Sequence, residues 1–262
     1  MFDAVKAKND CVQWIRDWFD KNGKDCNATI GISGGKDSSV VAALCVEALG
    51  KDRVVGVLMP NGIQNDINDS IRVVEHLGIK YTIVNIQETF NGIISHIDDM
   101  FVPKRDGYEN INISEQTKIN LPPRLRMATL YAISQSVNGR VVGTDNASEA
   151  YIGYSTRWGD NVADLMPILH FTSEEVVIIG DTLGLPYELT HKTPSDGLCG
   201  KTDEDNFGFT YATLNKYIRT GVCDDEAVKA RIDELHRKNL FKLQPIPSFP
   251  YDNEPLMDEL FY

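Results

Sequence analysis

Twice within the first eighty residues, a short apolar run gives way to turn residues and then to apolar side chains at helical spacing. Ala28–Ile32 leads through Ser33-Gly34-Gly35-Lys36-Asp37-Ser38 into Val40, Val41, Leu44, Cys45 and Ala48, and this stripe stops at Gly50. Val54–Met59 leads through Pro60-Asn61-Gly62 into Ile67, Ile71, Val74 and Leu77, stopping at Gly78. A short apolar run followed by a 3.6-residue period reads as strand, turn, helix. Tyr81–Ile86 is an expected third strand, Arg140–Gly143 a fourth and Pro167–His170 a fifth. Strands alternating with helices require right-handed crossovers, and therefore a parallel sheet covered on both sides. The expected fold is α/β, a doubly wound parallel sheet of about five strands with helices on both faces.

Outside this frame, Cys11, Trp14, Ile15, Trp18 and Phe19 share one face of an expected N-terminal helix that Asn22-Gly23 ends. Pro122-Pro123 are expected to open a helix carrying Met127, Leu130, Tyr131 and Val137, closed by Asn138-Gly139. Two more helical stripes surround Tyr211, Leu214 and Ile218, and Val228, Ile232 and Leu235. The segments 101–121 and 191–209 have no period, and long irregular stretches in a compact enzyme read as mobile lids or binding loops.

The 26 Lys and Arg against 38 Asp and Glu give a net charge of −12. That balance argues against a general binder of nucleic acid or anionic membrane, because neutralising phosphates needs surplus cations. No apolar run approaches the roughly 20 residues that cross a bilayer, and the start MFDAVKAKND has no signal-peptide core. The five cysteines are scattered without a CxxC pair, as expected of free thiols in a reducing cytoplasm. The five histidines match no metal-ligand spacing and read as structural or surface residues, and the acidic run Asp203-Glu204-Asp205 reads as a solvated loop.

In an open parallel sheet, ligands bind beyond the carboxyl ends of the strands. Those ends carry SGGKDSS, PNG and GTDNASE here. Glycines let the backbone approach a ligand closely, and the N–H groups of a helix start favour phosphate. Asp37 would repel a bare phosphate, so its presence in the loop points to a magnesium ion between them. The pattern is neither GxxxxGK[ST] nor GxGxxG. By itself it also fits a tight strand-to-helix turn capped by Ser or Asp.

The SGGxDS loop resembles the pyrophosphate loop of the ATP pyrophosphatases. Within that group, NLPPRLRM (120–127), GTDNASE (143–149), GYSTRWGDNVADLMP (153–167) and PSDGL (194–198) make the chain similar to the ammonia-dependent NAD synthetases over nearly its whole length. The resemblance implies an adenine nucleotide alpha-hydrolase-like fold and a single synthetase domain over 1–262, with no glutaminase domain. It implies ATP-dependent adenylation of the nicotinate carboxylate of deamido-NAD, then displacement of AMP by ammonia to give NAD. No enzyme nucleophile is required, so catalysis rests on positioning and charge neutralisation.

Residue by residue, the resemblance implies that Gly31, Ile32, Ser33, Gly34, Gly35, Lys36, Asp37 and Ser38 wrap the ATP phosphates. Thr144 and Ser195 would also contact ATP, and Asp37 and Glu149 would hold Mg2+. Arg124, Arg157, Asp164 and Lys242 match deamido-NAD contacts, whereas Arg126 reads as a core or interface arginine. Asp160 is expected to attract ammonium and take its proton, since only the free base attacks. Two departures stand out: Ser173 replaces a lysine on ATP, and Phe241-Lys242 replaces a His-Lys pair. Lys36 or Lys201 would supply the missing charge at Ser173. The family further implies a cytoplasmic homodimer, with the N-terminal and Pro122-Pro123 helices as contacts. The competing expectations are another ATP pyrophosphatase acting on a different carbonyl, or a nucleotide-binding regulatory module without turnover.

Overall fold

The computed structural model describes residues 2–64, 66–98, 101–104, 107–110, 112–191, 202–247 and 249. Helix α1 (Ala4–Asn22) precedes β1 (Asn27–Gly31), α2 (Lys36–Leu49), β2 (Val54–Leu58), α3 (Ile67–Leu77), β3 (Lys80–Ile83) and α4 (Gln87–Asp98). A hairpin of β4 (Phe101–Lys104) and β5 (Gly107–Asn110) leads to α5 (Glu115–Ser136), β6 (Gly139–Val141) and α6 (Ala147–Ile152). The remaining helices are α7 (Ser173–Thr182), α8 (Tyr187–Thr190), α9 (Asp203–Phe207), α10 (Tyr211–Thr220) and α11 (Glu226–Asn239), the last followed by a 3-10 turn over Leu240–Lys242.

The main sheet is parallel, in the order β3-β2-β1-β6. It therefore has four strands among the described residues rather than about five. Pro167–His170 forms turns instead of a strand. The sheet's contact in that region is a single parallel bridge between Val142 and Leu165, held by Gly143 N–H donating to the Leu165 carbonyl at 2.9 Å. Because the chain moves outward from β1 through β2 and β3 and then returns to add β6 on the other side, the order reverses between β1 and β6. That switch point opens the crevice at the carboxyl ends.

One face of the sheet packs on α1, α2 and α7, around Ile15, Phe19, Ile30, Val40, Leu44 and Ile179. The other is covered by α5 through Leu130 against Val57 and Val141. A second cluster, including Ile152, Phe207, Tyr211, Leu214 and Ile232, joins α6 to α9, α10 and α11. On α1 the buried side chains are Cys11, Val12, Ile15 and Phe19, while Trp14 is exposed. The apolar face is therefore rotated by about one residue from the expected one.

Helix α5 begins at Ser114, whose hydroxyl accepts from the Thr117 N–H, so Pro122 and Pro123 lie inside it instead of opening it. Two prolines remove two backbone donors, yet Pro122 is buried and the helix runs on to Ser136. Most of the expected loop 101–121 is thus hairpin and helix. In the segment 191–209, α9 is regular, and residues 192–201, with Ser195 and Lys201, lie outside the described residues. Cys11, Cys26, Cys45 and Cys223 are free thiols, and no helix of the described residues is long and apolar enough to cross a membrane.

Candidate active site

The turn after β1 is built for close approach. Gly34 has φ +80°, and a Cβ there would lie 2.7 Å from the Ser70 nitrogen at the start of α3. Ser33 Oγ accepts from the Gly35 N–H at 3.2 Å and meets Ser38 Oγ at 3.1 Å, which closes the loop on itself. Gly35 is the N-cap of α2, and no side chain caps this helix. Its first N–H groups consequently face outward with the positive end of the helix dipole. The alternative of a plain Ser- or Asp-capped turn is not what forms. Ile32 is a core residue, so only its backbone belongs to the loop.

Across the switch point, Asn146 organises both acidic positions. It is fully buried at the N-cap of α6, where its Oδ1 accepts from Ser148 N–H at 3.0 Å and Glu149 N–H at 3.1 Å. Its Nδ2 donates to Asp37 Oδ1 at 3.1 Å. One amide thus ties the helix bearing Asp37 to the helix bearing Glu149. The Asn-x-x-Glu spacing is a helix-start signal legible in GTDNASE, though the link to Asp37 is tertiary. Burial, with Asp37 nearby, pushes the Glu149 carboxyl up to about 8.

Lys36 turns inward, its Nζ 2.8 Å from Asp37 Oδ2. Burial works against its charge, but Asp37, Glu149 and Asp203 outweigh burial and hold the amine above its ordinary value. Asp203 is itself buried and accepts from the Tyr211 hydroxyl at 3.1 Å. The acidic run at 203–205 is therefore the first turn of α9 and not a loop, with Asp203 buried, Glu204 half-buried and Asp205 exposed. A cavity of about 430 Å³ opens here, lined by Lys36, Ser173, Asp203, Tyr211 and Asn215 among others. Ser173 is buried and bonded to its neighbours, its N–H to Ser148 Oγ at 2.9 Å and its Oγ to Asn215 Nδ2 at 3.2 Å.

The loop 153–164 carries Arg157, Asp160 and Asp164. Asp160 Oδ1 accepts from the Thr156 N–H at 2.6 Å. Asp160 reaches solvent, and partial loss of hydration by its carboxyl raises its pKa. Backbone N–H groups of Thr156, Asp160 and Asn161, and the Lys242 charge, oppose that rise. Lys242 Nζ donates to the carbonyls of Gly153 at 2.7 Å and Ser155 at 2.8 Å, locking the 3-10 turn Leu240–Lys242 onto the end of α6.

Arg157 is stacked between Trp158 and Phe241, 5.0 Å from each ring. Trp158 holds φ +64°, and its N–H is fixed by Asn161 Oδ1 at 3.0 Å. Phe241, at the position of the family histidine, therefore supports the arginine by a cation–π contact. Arg124 donates from Nε to the Arg157 carbonyl at 3.2 Å, bringing both guanidinium groups to one rim. Arg126 is half-buried and donates from Nε to the Met59 carbonyl just after β2 at 3.0 Å; burial lowers its pKa, against the pull of the Asp160 charge. Asp164 is tied to the sheet, Oδ2 accepting from Val141 N–H at 2.7 Å and Oδ1 from the Tyr131 hydroxyl at 3.3 Å.

The expected residues that can be placed fall into two groups, Lys36, Asp37 and Glu149 gathered through Asn146, and Arg124, Arg157, Asp160 and Lys242 gathered around the loop 153–164. Missed in the sequence were Asn146, Asp145 and the Asp203–Tyr211 pair.

Comparison with known proteins is decisive at the family level. The NAD synthase family model matches residues 7–246. The chain belongs to the NAD synthase family. A relative from Thermococcus sibiricus, an NH3-dependent NAD+ synthetase, is 40% identical over 82% of this chain and 80% of its own. Among solved structures, the NMN synthetase of Francisella tularensis has a TM-score of 0.85 at 29% identity, covering 96% of this chain and 100% of its own. The NH3-dependent NAD synthetase of Campylobacter jejuni has a TM-score of 0.75 at 27% identity, covering 96% and 100%. The chain is accordingly an ATP-dependent carbon–nitrogen ligase that amidates deamido-NAD with ammonia.

Proposed function

We propose that this NAD synthase chain adenylates the nicotinate carboxylate at the β1–β6 crevice and directs ammonia from the side of Asp160. The observation that carries the reading is the single Asn146 amide, which holds Asp37 and Glu149 together beside the uncapped start of α2. The backbone of 31–38 would cradle the ATP phosphates, with Thr144 and Ser195 as further ATP contacts. A carboxylate oxygen of the substrate attacks the α-phosphorus, pyrophosphate leaves, and the ammonia nitrogen then attacks the acyl carbon as AMP departs. Asp160 takes the proton that ammonium must lose. Arg124 and Arg157, with Asp164 and Lys242, would orient the dinucleotide.

Asp37 and Glu149 are hard oxygen donors suited to Mg2+. The raised Glu149 carboxyl fits a position designed around a cation. When bound, the ion gathers the phosphate oxygens and offsets charge building on the leaving pyrophosphate. Lys36 lines the same cavity as Ser173, so its amine supplies the charge that the family lysine brings from that position. If so, Lys36→Ala raises the apparent KM for ATP, and an unchanged KM assigns the charge elsewhere. We also propose a single synthetase domain acting in the cytoplasm as a homodimer, for which sedimentation would return about twice 29.3 kDa.

The deciding experiment incubates protein with Mg-ATP, deamido-NAD and ammonium chloride, and follows products by chromatography. NAD, AMP and pyrophosphate should appear in equal amounts, with little NAD when glutamine replaces ammonium. AMP without NAD, or no AMP from folded protein, refutes the reading. Nicotinate mononucleotide is the natural control substrate, since a structural neighbour is an NMN synthetase. It tests how far the site reads the adenylate half of the dinucleotide.

A further inference from the structure

Arg157 is held by aromatic rings rather than by acceptors. Its guanidinium carbon lies 5.0 Å from the Trp158 ring and 5.0 Å from the Phe241 ring, and both rings are about half exposed. Among the described residues, none of its side-chain N–H groups meets a hydrogen-bond acceptor or a carboxylate. A guanidinium carries five N–H donors in one plane and no acceptor. With rings against it, that plane is covered on its faces and open at its edge.

Stability does not account for the arrangement. Trp158 adopts φ +64°, an unfavourable region for a bulky side chain. An exposed cation–π contact contributes less than such strain costs. Bonds on both sides nevertheless fasten it. The Trp158 N–H donates to Asn161 Oδ1 at 3.0 Å, and the Arg157 carbonyl accepts from Arg124 Nε at 3.2 Å. Around Phe241, Asn239 Nδ2 donates to the Ile152 carbonyl at 3.0 Å, and the Lys242 carbonyl accepts from Asn161 Nδ2 at 3.4 Å. Lys242 Nζ adds its bonds to Gly153 and Ser155. Gly153, at φ +67°, permits this approach, since a Cβ there would lie 2.1 Å from the Asn239 Cβ. The turn bearing Phe241 and the loop bearing Arg157 are thus fixed to each other at the residues flanking both.

We propose that Phe241, with Trp158, is a positioning residue for the dinucleotide: the two rings preset the Arg157 guanidinium so that its edge receives an oxyanion of deamido-NAD. The inference rests on the function proposed above, which assigns Arg157 to that substrate. A lysine ammonium is a rotatable point charge and needs no ring to aim it. A guanidinium has a fixed fork that takes two carboxylate or phosphate oxygens at once, provided it is correctly oriented. Holding the fork in place beforehand reduces the side-chain freedom lost on binding. Phe241 therefore acts through Arg157, where a histidine at its position would offer the substrate a donor of its own. The oxyanion is a phosphate or the nicotinate carboxylate, which present the same paired oxygens.

Steady-state NAD formation tests the assignment. Phe241→Leu keeps an apolar side chain and removes the ring face. Its KM for deamido-NAD should rise about 3- to 10-fold, while kcat and the KM for ATP stay close to wild type. Phe241→Tyr keeps the ring and should keep the wild-type KM. In an Arg157→Met background, Phe241→Leu should bring no further rise, because the ring has no guanidinium left to orient. Inhibition by the product NAD, which keeps both phosphates but carries an amide in place of the carboxylate, locates the oxyanion. In Phe241→Leu, a Ki for NAD raised by the same factor as the KM assigns a phosphate, and an unchanged Ki assigns the carboxylate. Both results support the proposal and differ only in the source of the oxyanion.

An unchanged KM for deamido-NAD in Phe241→Leu would overturn the proposal. So would an equal rise in the Arg157→Met background, since Phe241 would then touch the substrate itself. Should Phe241→Leu fail to fold, Arg157→Lys carries the test, because it keeps the charge and loses the fork. Its KM for deamido-NAD should also rise, and an unchanged value would mean that no preset edge is read. If wild-type protein forms no NAD from deamido-NAD and ammonium, the failure belongs to the proposed function instead.

Discussion

At the scale of single residues, the site depends on positions where chain conformation and chemistry coincide. Gly34 is the sharpest case. With φ +80° it occupies the left-handed region, and any Cβ would press on the Ser70 nitrogen at 2.7 Å and the Asp69 Cβ at 2.9 Å. Gly34→Ala should cost about 1–3 kcal/mol of stability, since both strain and overlap act. It should also raise the KM for ATP, because relief requires the loop to move from the start of α3. Chemical denaturation and steady-state kinetics measure the two effects, and an unchanged KM would show that the loop geometry is not what ATP reads. The glycines, Asp37 and Glu149 were legible in the sequence because their spacing is local. Asn146 was half legible, as a helix start. Asp145 and the Asp203–Tyr211 pair were not, because their significance lies in what surrounds them once distant segments meet.

Among the elements, strand and helix order was readable where apolar period and punctuation agreed. Gly50 and Gly78 do end α2 and α3, and β1, β2 and β6 fall within a residue or two of their expected places. Where the signals disagreed, the reading failed for physical reasons. Pro122-Pro123 look like a helix start, yet the Ser114 cap had already begun the helix, and packing under the sheet carries it past both prolines. Trp14 shares the helical period of the α1 core, but the face that meets α2 and α7 is centred on Ile15 and leaves Trp14 in solvent. The 3-10 turn Leu240–Lys242 shows how one side chain joins two elements. Lys242 reaches back to the carbonyls of Gly153 and Ser155, where a cation also suits the negative end of α6. Lys242→Met keeps the stem and removes both bonds, so it should destabilise by about 1–3 kcal/mol. It should also loosen the wall carrying Asp160 and raise the KM for deamido-NAD. Calorimetry and kinetics together check this, and a loss of affinity without loss of stability would show Lys242 acting on the ligand alone.

For the molecule as a whole, the acidic groups link stability to pH and, through the proposed ion site, to magnesium. Burial and Asp37 push the Glu149 carboxyl up to about 8 from an ordinary 4.5, and Asp145 and Asp160 are raised in the same direction. Between those pH values the folded chain holds more protons than the unfolded one. Stability contributed by these groups is therefore present at low pH and is lost as pH rises through the folded values. A magnesium ion held as proposed would reverse the preference by stabilising the ionised Glu149, and its binding would release a proton wherever Glu149 is otherwise protonated. Without magnesium, the melting temperature should fall as pH increases from about 5 to about 8. Saturating magnesium should flatten that fall, so that the ion raises the melting temperature more at about pH 8 than at about pH 6. Glu149→Gln should remove most of the difference while keeping the bond geometry of the side chain. Scanning calorimetry at matched ionic strength makes the comparison. An equal magnesium effect at both pH values would mean that Glu149 is already ionised in the free protein, and that the four carboxylates of the crevice are less strongly coupled than their burial implies.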